Sequence, residues 1–309
     1  MTRIVVATDF GGPEKLVVED VETPQPGAGE VRVTVRAIGV NPVDWKIYAG
    51  YMSKDPQALR SFGSEVSGVV SAVGDGVDTW AVGDAVVAPQ VPGDAYAEEV
   101  IVPADGLLAK PEGLSFELAA AATLVGGTAE HALETVHVTH GDTVLVHGGS
   151  GGVGGVVVQL ARRRGARVVA TGSERNQDYL RELGAEPVVY GPGLADRVRA
   201  IAGDAGVDAA IDTVGTDEAL DASVELVADR GRIVTIAGFG RADELGIHAI
   251  GGADPGTEIR RRAYPEVLAL LAAGELELPI AATYPLEETA QAHRDSQAGH
   301  TRGKLVVVP

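Results

Sequence analysis

The chain has no cysteine among its 309 residues. That excludes a disulfide framework and any thiolate metal site. Aromatic residues make up only 4% of it, so aliphatic side chains must build the core. Positive charge is in deficit. The 25 Lys and Arg stand against 44 Asp and Glu, giving a formal net charge of −19. Nucleic acid and anionic membrane surfaces both call for basic patches, so neither is expected as a partner. No apolar run reaches the ~18 residues that a membrane helix requires. Met1 to Ala7 moves directly into a strand pattern and lacks the longer apolar stretch and cleavage site of a secretion signal. The expectation is a soluble, cytoplasmic protein long enough for about two domains.

Glycine, by contrast, is abundant, with 41 residues, and six positions give it meaning. Gly149-Ser150-Gly151-Gly152-Val153-Gly154 spells G-x-G-x-x-G. The apolar run Thr143 to His147 precedes it, and Gly155 to Arg164 follows with a helical pattern. Gly165 closes that helix, and Ala166 to Ala170 reads as a second strand. Strand, glycine turn, helix and strand in this order form a dinucleotide-binding unit. One glycine makes the tight turn, one admits a pyrophosphate to the backbone, and one lets helix and strand pack closely. The helix N-terminus offers N–H groups and a positive dipole end to the phosphates.

Residues 1–110 read as all-β. Val31 to Val35, Glu65 to Val73, Ala85 to Ala88 and Tyr96 to Val102 are separated by turn signals such as Gly74-Asp75-Gly76 and Val82-Gly83-Asp84. This spacing suits a small barrel or sandwich. From Ser115, a plausible N-cap, the pattern becomes helical over Phe116 to Thr123 and again over Thr128 to Thr135. Strands then alternate with helices. The strands are Thr143 to His147, Ala166 to Ala170, Glu186 to Tyr190, Val207 to Asp212, Arg232 to Ile236 and Leu245 to Ile250. The helices are Gly151 to Arg164, Asn176 to Leu183, Leu194 to Ala202 and Thr216 to Val227. Such alternation predicts a parallel sheet with right-handed crossovers. In the tail, Glu258 to Ala273 and Leu286 to Ala298 read as helices and Leu305 to Val308 as a strand. A lone last strand must pair somewhere, and the first domain is the expected host.

Further markers carry a family resemblance. They are Gly39-Val40-Asn41-Pro42-Val43-Asp44-Trp45-Lys46, Gly63 to Val70, Val73-Gly74 through Val82-Gly83-Asp84, Asp212-Thr213-Val214-Gly215 and Arg302-Gly303-Lys304-Leu305-Val306. With the glycine loop, they make the chain similar over its whole length to the medium-chain dehydrogenase/reductases. The similarity is to the zinc-independent quinone oxidoreductase branch, which includes enoyl reductases. The resemblance implies an α/β fold: a Rossmann doubly wound parallel sheet over 120–256, plus an N-terminal GroES-like β-barrel domain over 1–119 completed by 257–309. It also implies an active cleft between the domains and a homodimer joined near Leu245 to Ile250. Zinc-dependent relatives use a Cys and a His in segments corresponding to 37–44 and 63–65. Here those segments have neither, and Ser64 stands where the His is expected. None of the seven histidines has a sequence-close partner set typical of zinc, so no metal is expected.

A NAD site places a carboxylate at the end of the second strand, and Glu174 lies near that position. The resemblance favours NADP(H) instead. It implies that Gly172, Ser173, Arg175 and Asn176 hold the 2′-phosphate end, assisted by Tyr190 and Lys304. A guanidinium suits phosphate because its planar donors grip two oxygens. The alternative is that Ser173 caps the next helix and Arg175 is merely solvated. The resemblance also assigns the cofactor Asn41, Thr128, Thr213 and Ala237-Gly238-Phe239, the last two groups at the ends of the fourth and fifth Rossmann strands, where ligands of open parallel sheets bind.

Without zinc, the accessible chemistry is hydride transfer to a quinone or to the C=C of an α,β-unsaturated carbonyl compound. Charge then moves to the carbonyl oxygen, and a proton follows. Asn41, Asp44, Tyr48 and Tyr51 are the catalytic candidates. Asn41 would offer an amide N–H near the nicotinamide, or else start a turn before Pro42. Asp44 would orient Lys46 or a water, or else cap a helix. Tyr48 or Tyr51, in a cleft-lining loop, would donate a proton or form a wall. The pocket itself would be shaped by segments near Tyr48 to Arg60, Val91 to Ala95 and Phe239 to Thr257. A dedicated enoyl reductase, or an NADPH-binding structural protein without turnover, are the rival readings.

Overall fold

The computed structural model describes residues 1–52, 54–251 and 256–309. Ser53 and residues 252–255, which belong to two of the expected pocket-shaping segments, lie outside the described residues. The chain divides into two compact units. One comprises Met1–Leu124, Val267–Glu275 and Pro279–Pro309; the other comprises Val125–Glu266 and Leu276–Leu278. These divisions fall at 124/125 and 266/267, beside the expected limits at 119/120 and 256/257. The first division falls inside one long helix, and the second inside another, because a continuous helix can contribute to two cores.

In chain order the first unit opens with β1 (Thr2–Ala7), β2 (Leu16–Val21), β3 (Glu30–Val40), α1 (Pro42–Tyr48), β4 (Glu65–Val73), β5 (Ala85–Ala88), β6 (Glu99–Pro103) and β7 (Leu108–Ala109). The helix α2 (Phe116–Thr135) carries the chain into the second unit. There follow β8 (Thr143–His147), α3 (Gly152–Arg163), β9 (Arg167–Gly172), α4 (Gln177–Glu182), β10 (Glu186–Val189) and α5 (Leu194–Ala202). Next come β11 (Ala209–Asp212), α6 (Asp217–Leu226), β12 (Ile233–Thr235), α7 (Phe239–Leu245), β13 (His248–Ala249) and α8 (Gly256–Ala272). The tail returns to the first unit as β14 (Ile280–Pro285), α9 (Thr289–Ala298) and β15 (Lys304–Val308).

The second unit is built on a parallel sheet of order β10-β9-β8-β11-β12-β13. This is the doubly wound 3-2-1-4-5-6 arrangement, whose order reverses beside the first strand. Every residue of β8 is buried, as expected of a central strand covered on both faces. Helix α3 buries Gly154 to Val158, Leu160 and Ala161, while its C-terminal arginines reach outward. Gly165, at φ +82°, closes the connection.

The first unit holds a sheet of order β14-β15-β3-β4-β5-β7, with β6 also on β3. β15 pairs antiparallel with β3, Leu305 opposite Val40 and Val307 opposite Ile38. The last strand thus has the host its isolation required. Two register shifts bend β3 against β4. A core of Val31, Val33, Ile38, Val66, Val102 and Val307, among others, fills the inner face, with Tyr48, Phe62 and Tyr96 as its few aromatics.

Two local readings are corrected. The helical segments before and after residues 124–127 form one helix, α2, through Gly126-Gly127. A Cβ at Gly127 would lie 2.6 Å from the Tyr264 ring, so close packing explains a glycine that looks like a breaker. Thr128 is consequently a helix-interior residue. Leu245 to Ile250 is not one strand: α7 ends at Leu245, Gly246 caps it at φ +65°, and only His248–Ala249 pair with β12.

Candidate active site

In the second unit the glycine turn sits between β8 and α3. The Gly149 N–H donates to Thr171 O at 2.9 Å, and the Gly148 N–H to the Thr171 hydroxyl at 3.1 Å, tying the turn to β9. A Cβ at Gly154 would stand 2.2 Å from Gly148 O, and one at Gly149 would stand 2.9 Å from the Ala170 side chain. Both positions admit only glycine. Gly151 is the N-cap of α3, and no side chain caps it. The first-turn N–H groups of Gly152, Val153 and Gly154 have no intrahelical acceptor, so an anion can take them. Asn176 is nearly fully buried and donates to the Ser150 hydroxyl at 2.9 Å, holding the loop in place. That corrects its expected outward role at a 2′-phosphate.

At the end of β9, Gly172 leads into a short turn, Glu174–Asn176. Ser173 precedes this turn, but its side chain makes no capping bond. Its Oγ is buried without a partner. A buried hydroxyl left unsatisfied costs about 1–3 kcal/mol, so the position fits a ligand oxygen better than a capping role. Glu174 and Arg175 are both exposed beside it, and Tyr190 follows β10 at 46% exposure. The glycine cradle, the uncapped helix turn and the orphaned Ser173 hydroxyl together fit a phosphorylated dinucleotide.

The carboxyl ends of β11 and β12 are organised by Asp212, which is fully buried. Its Oδ1 accepts the Val214 and Gly215 N–H groups at 3.0 Å each, and its Oδ2 accepts the Thr235 hydroxyl at 2.6 Å. Thr235 Oγ1 in turn accepts the Ala237 and Gly238 N–H groups at 3.2 and 2.8 Å. The expectation that Ala237-Gly238-Phe239 ends a strand is corrected: β12 stops at Thr235 because this hydroxyl folds the chain back, and Phe239 opens α7. The Ala237 and Gly238 amides are therefore committed to the protein. Thr213 donates its hydroxyl to His147 O at 2.7 Å. His147 is buried, and desolvation holds its pKa below the usual range, so it is neutral.

In the first unit the sequence candidates come together differently. Asn41, at the end of β3, caps α1. Its N–H donates to Asp44 Oδ2 at 2.9 Å in a capping box. Its side-chain amide donates to Gly39 O at 3.2 Å and to Glu65 Oε1 at 3.1 Å. Its Oδ1 accepts from Lys304 Nζ, which also donates to Val40 O at 2.8 Å and lies 3.2 Å from Glu65 Oε1. Glu65 Oε2 accepts from the Thr123 hydroxyl at 2.6 Å and the Leu124 N–H at 2.7 Å. Asn41, Glu65 and Lys304 are all essentially buried. Both side chains expected at the cofactor thus have partners within the protein. Both amide hydrogens of Asn41 are engaged, so it has none for a nicotinamide. All three donors of the Lys304 ammonium are engaged, so it does not reach for a phosphate.

Asp44 performs the capping role. It also accepts from the Tyr96 hydroxyl at 2.8 Å, and burial lifts its pKa to about 7. Tyr48 belongs to α1, not to an open loop, and is fully buried. Its hydroxyl meets His293 Nδ1 at 2.8 Å, and the two rings stack at 5.5 Å. Burial pushes the Tyr48 phenol well up and drops His293 to about 3. Tyr48 is thus withdrawn as a proton donor. Tyr51 is 77% exposed, edge-on to Trp45. Sequence reasoning missed the roles of Glu65, Thr123 and Asp212, though two of them stand in the family markers. It also missed His293, for which nothing local gave a signal.

Comparisons with known proteins place the chain in a family. Residues 27–112 match the alcohol dehydrogenase GroES-like domain, and residues 183–307 match the zinc-binding dehydrogenase model. The latter is named for zinc, yet this chain has no cysteine. Among the described residues, no group of three or more His, Cys, Asp or Glu could hold a metal ion. A quinone oxidoreductase of Rattus norvegicus is 32% identical over 99% of this chain and 96% of its own length. A 2-haloacrylate reductase of a Burkholderia species is 33% identical over 100% and 99%. The Escherichia coli quinone oxidoreductase, solved in complex with NADPH, superposes with a TM-score of 0.88 at 28% identity, covering 100% of both chains. The chain belongs to the zinc-independent quinone oxidoreductase branch of the medium-chain dehydrogenase/reductases.

Proposed function

We propose that this NADP(H)-dependent oxidoreductase reduces a quinone or the C=C bond of an α,β-unsaturated carbonyl compound, and that Ser173 and Arg175 select the phosphorylated dinucleotide. The observation that carries the cofactor assignment is the buried, partnerless Ser173 Oγ at the end of β9. When bound, the reduced nicotinamide supplies a hydride. The first-turn amides of α3 hold the pyrophosphate, and Gly149 and Gly154 keep the backbone close enough to do so. Ser173 donates to a 2′-phosphate oxygen, and the exposed Arg175 adds a charge-assisted grip. Charge that develops on the substrate oxygen needs a donor and then a proton. With Tyr48 engaged by His293, the exposed Tyr51 phenol is the side chain we assign to proton delivery.

Activity on a C=C bond is favoured by the similarity to a 2-haloacrylate reductase. A reductase dedicated to one enone is therefore the second reading. A homodimer through the exposed edge strand β13, in a cytoplasmic setting, completes the proposal. The test is NADPH oxidation against a panel of quinones, enones and enoyl thioesters. Turnover of several quinones and enones supports the first reading, and strict preference for one enone the second. Tight NADPH binding with no turnover of any would mean a non-catalytic role and would end both.

A further inference from the structure

A cavity of about 210 Å³ lies wholly within the first unit. Its lining draws on Thr2 and Ile4 of β1, Val21 of β2 and Glu99 of β6, together with Ala97 and the loop carrying Val91 and Asp94. Most of the lining is aliphatic. Two polar atoms in that lining have no hydrogen-bond partner: Thr2 Oγ1, on a residue 2% exposed, and Asp94 Oδ1. Native structures rarely leave such atoms unsatisfied, and the usual explanation is a bound water, ion or ligand.

The charges around them define the ligand. Glu22 and Glu99 also line the cavity. Glu99 is engaged by Thr34 at 2.8 Å, by Ser71 at 2.9 Å and by Arg32 at 3.5 Å. The cation acting on Asp94 is Arg60, which is itself paired with Glu19 at 3.1 Å. An anion would face three carboxyl groups, and a neutral alcohol would leave Asp94 uncompensated. A primary ammonium has three donors for the carboxylate and the hydroxyl, and a short alkyl chain would cover Ile4, Val91 and Ala97. At ~30 Å³ per water, the space equals about seven waters, enough for a small amine. We propose that this cavity is a binding site for a small primary alkylammonium ion, held by Asp94 and Thr2.

Burial raises the Asp94 pKa to about 7. An ammonium partner stabilises the ionised carboxylate, so binding strengthens as pH rises through that value. From pH 6 to pH 8 the affinity rises about tenfold, following the ionised fraction. The experiment is calorimetric titration of the full chain with n-butylammonium chloride at constant ionic strength, without dinucleotide. The expected result is saturable one-to-one binding. Asp94→Asn weakens it by roughly tenfold or more, and Thr2→Val by a few-fold, reflecting a lost charge-assisted and a lost neutral hydrogen bond. Tetramethylammonium, which has no N–H, does not compete. Absence of saturable binding to the unaltered chain would overturn the proposal and leave the cavity to water. Equal binding by Asp94→Asn, or equal competition by tetramethylammonium, would overturn it too. Since no turnover is measured, failure here is separate from failure of the reductase reading.

Discussion

Two polar clusters, one in each unit, treat their atoms in opposite ways. Around Asn41 in the first unit, every donor and acceptor meets another from the same unit: Lys304, Glu65, Thr123 and the β3 backbone close the circle. At the glycine turn in the second unit, the polar groups that matter are left open: the uncapped first turn of α3 and the partnerless Ser173 hydroxyl. A saturated network fixes shape and has nothing to offer a ligand. An unsaturated one is costly in isolation, and its stability is recovered when a ligand arrives. Side-chain identity alone does not separate the two, since Asn and Ser occur beside both.

The sharpest way to break this contrast is Lys304→Met. Removing one partner of a buried pair strands the other charge, so stability should fall by roughly 3–5 kcal/mol. The loss is to be read by urea unfolding, and the NADPH-to-NADH preference of the protein that remains folded should not change. A variant that stayed stable but lost its NADPH preference would return Lys304 to the phosphate. Gly154→Ala comes next. Its Cβ must push against Gly148 O, so we expect about 1–3 kcal/mol of destabilisation from overpacking, together with weakened binding of both dinucleotides by fluorescence titration.

Arg175→Ala should raise the NADPH Kd by about tenfold, near 1.4 kcal/mol, and leave NADH nearly untouched. Equal losses for the two dinucleotides would favour Glu174 and the unphosphorylated ribose. The smallest effect is reserved for the Tyr48–His293 pair. Replacing both by Phe removes two buried polar partners of similar shape, which is expected to change stability at pH 7 by less than about 1 kcal/mol. In the parent protein His293 has its pKa depressed from 6.5 to about 3. Its contribution is therefore complete above pH 6.5 and is lost as pH falls toward 3, because the unfolded chain binds the proton first. Asp44 is raised to about 7 and acts in the opposite sense, favouring the fold below about 3.8 and losing that contribution as pH rises through 7. The double variant should lose the acid-side slope between pH 6.5 and 3. Its turnover should stay within a few-fold of the parent, whereas Tyr51→Phe should slow it; a collapse of rate in the double variant would make Tyr48 the donor after all.

Much of the second unit was legible because its requirements are local. The turn, the helix that follows and the strand after it occupy one contiguous stretch, and glycine spacing reports directly on backbone approach. The length of α2 was not legible, because Gly126-Gly127 reads as a break until Tyr264 is seen against it. The end of β12 was hidden for a similar reason: a single Thr235 hydroxyl turns the chain. In the first unit the strands could be read from alternation, but the partners of Asn41 could not. Lys304 lies 263 positions away along the chain.

By itself the sequence determined the absence of thiolate chemistry, the negative charge, the β-rich start and the βαβ dinucleotide unit. These follow from composition, or from patterns that repeat within a few residues, where backbone geometry and hydrophobic period act directly. Only the tertiary structure decided which polar side chains are engaged and which are open. It joined Asn41 to Glu65 and Lys304, buried Tyr48 against His293, and left Ser173 without a partner. Hydrogen bonding between distant residues depends on where packing brings them, and no local pattern encodes that meeting.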